Sequence, residues 1–440
     1  MRQSINAALM LLLLGLLSAV GCGSKSTPKT NKEQDRWQRY SKLAGLSISH
    51  APELRAERER LIQLQQTPDQ LQSQHRGTGQ AKVIEEWLKV FPKQTRGMIL
   101  RRTAKLFPAC LTDHTLMQAA IKHRRRYDKK RTAIHQALRN PGFVLPILHD
   151  QGWLAQTQYL DVVLIAVRLE GLLAAEYLQR KQIDDAIRSL RTMWHWSDRL
   201  ADQTHLISRL AAASMKKEIL AVVSATANHP QATQISHTQL AEILELQIKN
   251  WPHDRRAWIG DQSDGLIAYE LIRDGYLLSV LSDEEMKKMK NGPGIKSWVT
   301  SISRSIDTDQ SFYLAAMTKV IKACDQPYYA RQTVLTQIEQ ELTDLVGKKG
   351  YPFVAGQVLL TDLQIGQRHQ AADRARCEAW ALALGRISNR PTIGITTNPL
   401  TGKPFEVKHA RGRLTVTVFG EERIHVPHRM AAAAERSSIE

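Results

Sequence analysis

From Trp37 to about residue 390, the apolar residues of this chain recur three and four positions apart, and strand-like alternation is hard to find before residue 400. That spacing gathers apolar side chains into one stripe of an α-helix, and each stripe must be covered by another element. It predicts a mainly α protein, built as a multi-helix bundle or as stacked helical hairpins. Helices are expected over about 52–75, 80–91, 114–138, 155–180, 183–203, 205–228, 236–250, 264–281, 283–290, 309–323, 328–347 and 367–386. Breakers separate some of them, at Arg76-Gly77-Thr78-Gly79, Asn140-Pro141-Gly142, Asn228-His229-Pro230 and Asn291-Gly292-Pro293-Gly294.

The clearest stripe runs through Ile183, Ala186, Ile187, Leu190 and Trp194, with Asp184 and Asp185 placed to favour the first turn of that helix. With the segment before it, this stretch resembles the helical hairpins of tetratricopeptide repeats. Gln182 stands where that family commonly has glycine, and the 34-residue period does not recur. A lone helical hairpin is the expectation.

Past residue 400 the period changes to two. Phe405 and Val407 share one face of a first strand, and Leu414, Val416 and Val418 share one face of a second, joined through Ala410-Arg411-Gly412. Ile424 and Val426 extend a third. A small antiparallel hairpin or meander is therefore expected over 391–429, after a helical body over 37–300 and a second helical segment over 301–390. A polar, poorly ordered tail is expected over 430–440.

The N-terminus has its own logic. Met1-Arg2 precedes an apolar run from Ala7 to Val20, too short for a bilayer span, which needs about 20 residues. Ala19, Val20 and Gly21 then lead into Cys22. Charge, apolar run, small residues and cysteine in that order resemble the lipobox of bacterial lipoproteins, although Ala19 replaces the usual leucine and Leu17 lies two places too early. The resemblance implies a signal peptide over 1–21 and a thioether-linked, acylated Cys22 as the first mature residue. Residues 22–36, rich in Ser, Thr, Lys and Asn, then form a flexible tether. It also implies an envelope lipoprotein facing the periplasm, and glycine rather than aspartate at position 23 points to the outer membrane. Two acyl chains already anchor a protein stably.

A second resemblance concerns Asn398-Pro399-Leu400-Thr401-Gly402-Lys403-Pro404. It is similar to a segment, usually starting with aspartate, near the C-terminus of helical envelope proteins of planctomycete-type bacteria, a group with no activity to carry over. A similar turn precedes the last strands of type II secretion pseudopilins.

The charge is uneven. Formal net charge is +18. The stretch from Arg96 to Asn140 contains twelve Lys or Arg and two Asp, which puts more than half of the imbalance into about a tenth of the chain. Its densest part supplies Lys122, Arg124, Arg125, Arg126, Lys129, Lys130 and Arg131, expected to face solvent and suited to an anionic lipid or glycan surface. An exported chain is poorly placed to meet nucleic acid.

Catalytic signatures are thin. Gly402-Lys403 lacks the earlier glycine and the following Ser or Thr of a phosphate-binding loop, so a proline-framed turn is expected. His195, Asp198, Asp202 and His205 would fall within an arc of about 80° on a continuous helix, but its outer pair would lie about 15 Å apart, so polar edge residues are expected rather than a metal site. Ser214-Met215-Lys216-Lys217 matches Ser-x-x-Lys without the companion elements of penicillin-binding enzymes. Trp251-Pro252-His253-Asp254-Arg255-Arg256-Ala257-Trp258 reads as a loop held by two core tryptophans. After Cys22, the remaining cysteines are Cys110, Cys324 and Cys377, which allow at most one disulfide, with Cys324 and Cys377 the expected pair. No cofactor or metal is implied.

The reading is a non-enzymatic envelope lipoprotein that binds or scaffolds, with membrane lipid and an unidentified protein as partners. Alternatives are a periplasmic hydrolase whose site is assembled from distant residues, or an accessory of a secretion or pilus-like assembly. A pocket with convergent His, Asp, Glu or Ser groups would favour the hydrolase.

Overall fold

The computed structural model describes residues 89–138, 158–274, 295–348, 350–361, 363–390, 397–410 and 412–427, with residues 60, 145, 276, 280, 394 and 395 besides. Several expectations lie wholly or mostly outside these residues: the signal peptide, Cys22 and the tether, the helices over 52–75, 80–91 and 283–290, and the 430–440 tail. So do the breakers at 76–79, 140–142 and 291–294.

The fold is mainly α with a small C-terminal antiparallel sheet. The described helices are α1 (Lys93–Leu106), α2 (Met117–Arg126), α3 (Asp128–Leu138), α4 (Gln158–Gln179), α5 (Ile183–Ala201), α6 (Leu206–Ala227), α7 (Gln234–Lys249), α8 (Asp254–Arg273), α9 (Ile295–Ala323), α10 (Tyr328–Leu345) and α11 (Leu363–Ile387). The strands are β1 (Glu406–Ala410), β2 (Arg413–Phe419) and β3 (Glu422–Pro427), in the order β1-β2-β3.

Two helices act as hubs. α4 is buried at almost every position from Tyr159 to Glu176 and is touched by α1, α2, α3, α5 and α6. Its small and branched side chains let neighbours approach from all sides, most closely at Gly171, where the Phe107 ring occupies the space of an absent side chain. α11 is the second hub, contacting α6, α7, α10, β2 and β3. α6 touches both hubs.

The hairpin of α4 and α5 forms as expected, turning through Lys181 at φ 64° and starting α5 after Gln182. All five residues of the predicted α5 stripe are buried. α6 stops at Ala227, where the Asn228 breaker stands, and a capping box between Thr233 and Ser236 starts α7.

Several features differ from expectation, beginning with the helix expected over 114–138, which breaks at Tyr127 into α2 and α3. α1 was not foreseen, because its buried stripe is Arg96, Ile99, Thr103 and Leu106, half of it polar. α8 begins at Asp254 rather than 264, capped by the His253 imidazole, which accepts the Arg255 N–H at 3.2 Å. The tryptophan-flanked stretch is thus the start of a helix and not a loop, although Trp258 is a core residue as expected. α9 begins at Ile295 and so runs through the division placed between residues 300 and 301.

In the sheet, Val407 pairs with Val416, and Leu414 with Val426. Leu414, Val416, Val418, Ile424 and Val426 are buried on the side facing α11 and α6. The preceding turn is built around Asn398, whose amide donates to Val418 O and whose Oδ1 accepts the Leu400 N–H at 2.9 Å. Gly402, at φ 70° and against the Tyr329 ring, completes the expected proline-framed turn.

The expected disulfide is absent. Cys110, Cys324 and Cys377 are all free and buried. Gln367 of α11 reaches Cys324 Sγ at 3.8 Å. Cys377 lies ten residues further along the same helix, a rise of about 15 Å, whereas a disulfide needs Cα atoms within about 7 Å.

Candidate functional site

A polar cluster converges where α4, the α5–α6 turn, α8 and α9 meet. His205, the residue before α6, is held between three partners. Its Nε2 is 3.5 Å from Asp264 Oδ2, and its Nδ1 is 3.2 Å from Ser208 Oγ and 3.3 Å from the Tyr159 hydroxyl. Tyr159 OH and Ser208 Oγ are 2.6 Å apart. Ser208 is 0%, His205 5% and Asp264 8% exposed. The cluster exists because α8 carries a glycine at Gly260, which lets the backbone of Thr204 sit directly on the helix.

Serine, histidine and aspartate within reach of one another are the parts of a hydrolytic triad. Here the electrostatics oppose that chemistry. A triad aspartate must be ionised to stabilise the imidazolium. Burial, and then the neighbouring Asp261, hold the Asp264 carboxyl well above the usual carboxylate range. Burial likewise raises the Asp261 carboxyl to about 7 and lifts the Tyr159 phenol. Such groups favour their neutral forms, and neutral forms donate and accept as structural hydrogen bonders.

His195, Asp198, Asp202 and His205, expected as polar edge residues rather than a metal site, do not share one helix face. α5 ends at Ala201, and the turn that follows carries His205 into the cluster just described, while His195 stays exposed. Among the described residues, no group of three or more His, Cys, Asp or Glu is arranged to hold a metal ion. Ser214 is half-buried and Lys217 is exposed on α6. The lysine between them in sequence, Lys216, is the buried one: its Nζ lies 3.8 Å from the Trp251 ring centroid and 3.7 Å from Asp373 Oδ2. Burial raises the Asp373 carboxyl to about 6, against the pull of Lys216, Arg209 and Arg376. Asp254, from the same tryptophan-flanked stretch, bridges Arg209 and Arg331.

The seven cations of the basic stretch separate into two sets. Arg124 is turned inward: it pairs with the buried Glu176 of α4 and lies 3.2 Å from Asp128. Arg131 pairs with the buried Glu170 and lies 3.0 Å from Asp128. Glu170 is also 3.0 Å from His135 Nε2, whose Nδ1 accepts the Trp196 indole N–H at 2.8 Å. Lys122, Arg125, Arg126 and Lys129 are exposed, with Lys130 half-exposed over the Phe91 ring. Arg125 is intermediate in role, since its side chain is 60% exposed but one nitrogen reaches Glu176 at 3.2 Å. The signal for the inward set was present in the sequence. Met117, Ala120 and Arg124 lie in helical phase, and all three are buried.

A cleft of about 110 Å³ lies elsewhere, lined by Asn228, His229, Pro230, Gln234, His237 and Ile387 among others. Small-molecule sites usually span about 300–1,000 Å³. No helix of the described residues is long and apolar enough to cross a membrane. No protein-family model, curated protein or solved structure matches the chain.

Proposed function

We propose that this chain is a lipid-anchored protein of the cell envelope whose helical body binds or scaffolds and performs no chemistry of its own. In this reading the leader ends at Gly21, an acylated Cys22 inserts into the outer membrane from its periplasmic side, and residues 22–36 tether the body. Its partners are membrane lipid and a protein docked on the body. One observation carries the non-enzymatic part. The Ser208, His205 and Asp264 convergence is sealed by Tyr159 and by the Thr204 backbone seated on Gly260, and its carboxyl is held toward the neutral form.

The anchor is tested by replacing Cys22 with Ser and fractionating cells. The parent is expected in the membrane fraction and released by detergent, and the variant is expected to lose acyl labelling and that partition. Unchanged acyl labelling or partition refutes the anchor.

The same convergence favours a hydrolase as the second reading, because its donor and acceptor distances suit proton transfer. That reading requires the Asp202–His205 turn to open. Labelling of Ser208 by a fluorophosphonate probe in the native protein would establish the hydrolase and overturn the scaffold. The scaffold predicts no labelling of Ser208 in the native or the unfolded protein, because a serine hydroxyl without a working base does not attack the probe.

A further inference from the structure

The outer cations extend beyond α2 and α3. On α1, Met98, Arg101, Arg102 and Lys105 occupy positions i, i+3, i+4 and i+7, and all four are exposed. α1 contains no acidic residue. α1 and α2 touch, and Arg102 of α1 and Arg126 of α2 both act on the half-buried His123 between them. On α2 and α3, Lys122, Arg126 and Lys129 follow at i, i+4 and i+7, and no described acidic residue pairs with any of these six cations. Acids are placed underneath instead: Glu170 and Glu176 hold the inner arginines against α4, so the outer ones are presented by fixed helices.

We propose that Arg101, Arg102, Lys105, Lys122, Arg126 and Lys129 form a docking face for an anionic phospholipid surface. The inference rests on the lipid-anchored reading above, which brings these helices, the first described after the tether, beside headgroup phosphates. Cations near charged lipid attract additively and are screened by salt. Met98, 55% exposed at the N-terminal end of the α1 cation row, adds an apolar side chain suited to the headgroup and acyl boundary. A nucleic-acid groove would give no role to that methionine.

The test uses two full-length chains that share Cys22→Ser, and hence an identical leader and no acyl chain, and that differ only in the face. One keeps all six cations and the other carries glutamine at each. Binding is measured to vesicles of phosphatidylethanolamine with phosphatidylglycerol, and to vesicles of phosphatidylcholine, at low and at high salt. The parent is expected to prefer the anionic vesicles, to lose that preference at high salt, and to bind at least about a hundredfold more tightly than the glutamine chain. A milder pair, Lys122→Glu with Lys129→Glu, is expected to lose at least about thirtyfold with an unchanged Tm, which keeps the test valid if six substitutions disturb folding. No preference for anionic vesicles, equal binding by the variants, or binding of a DNA oligonucleotide that vesicles fail to displace overturns the proposal. Because neither chain is acylated, failure here leaves the Cys22 anchor standing, and loss of the anchor leaves this result readable.

Discussion

Gly260 offers the sharpest test of how the body is assembled, because two glycine-to-alanine substitutions should move stability in opposite directions. A Cβ added at Gly260 would sit 1.5 Å from the Thr204 carbonyl oxygen and 2.6 Å from its carbon, and both are backbone atoms that no rotamer change can move. Restoring even a 3.0 Å separation forces the Asp202–His205 turn and α8 apart by at least about 1.5 Å. Overpacking of this kind costs about 1–3 kcal/mol, and the buried His205 hydrogen bonds disturbed with it add about 1–3 kcal/mol. Alanine returns about 1 kcal/mol of helix propensity. The net expectation for Gly260→Ala is a loss of about 1–5 kcal/mol, a fall in Tm of about 1–7 °C for a body of this size.

The control is Gly97→Ala on α1. There the nearest heavy atom to an added Cβ is Arg101 Nη1 at 4.0 Å, so only the propensity gain of up to about 1 kcal/mol remains. Urea unfolding followed by circular dichroism compares the two variants with the parent. If Gly260→Ala is as stable as Gly97→Ala, the close seating of the Thr204 backbone on α8 is wrong, and with it the sealing of the Ser208 cluster.

Two further predictions follow from the buried charges. Glu176→Gln leaves Arg124 buried with only Asp128 as its anion, and is expected to cost about 2–4 kcal/mol in urea unfolding. Adding Arg124→Met should recover most of that loss, and a single variant costing nothing measurable refutes the clamp. Asp373 has a folded pKa of about 6, above its ordinary value, so the folded state holds its proton more tightly. Its contribution is fully present below about pH 4 and lost as pH rises through about 6, a change of about 3 kcal/mol. Unfolding at pH 4 and pH 7 should therefore show Asp373→Asn gaining on the parent by about that amount, and a pH-independent difference contradicts the assignment.

What could be read in the sequence was what neighbours in the chain decide. The α5 stripe, the Asn228 stop and the strand pattern of Leu414, Val416 and Val418 depend on local periodicity, and all appear. The unforeseen α1 and the late start expected for α8 share one cause, polar residues on the buried side. Arg96 and Thr103 hide the period of α1, and Gln262, Ser263 and Asp264 break the period of α8, because partners outside the helix satisfy them or helices close over them. The Ser208 cluster was invisible for a stronger reason. Its members come from Tyr159, His205 and Asp264, each about fifty residues from the next, and no spacing rule links them. The inward turn of Arg124 was legible from the phase of Met117 and Ala120, whereas its partner Glu176 was not.

α4 carries a consequence for how such a chain travels. Its 22 residues would extend about 33 Å, the thickness of a bilayer's hydrocarbon core, and beyond Asp161 in its first turn it is apolar on every side except where Arg168, Glu170 and Glu176 interrupt it. In the folded body these three side chains meet Glu218, Arg131 and Arg124. During export, as proposed here, none of those partners is yet in place, and a charge at mid-membrane costs about 2.5–3.5 kcal/mol in an inserting segment. In an exported chain, the ions that later hold α4 in register would also let it pass through a translocation channel without halting there, so that neutralising Arg168 and Glu170 would favour its arrest as a stop-transfer segment.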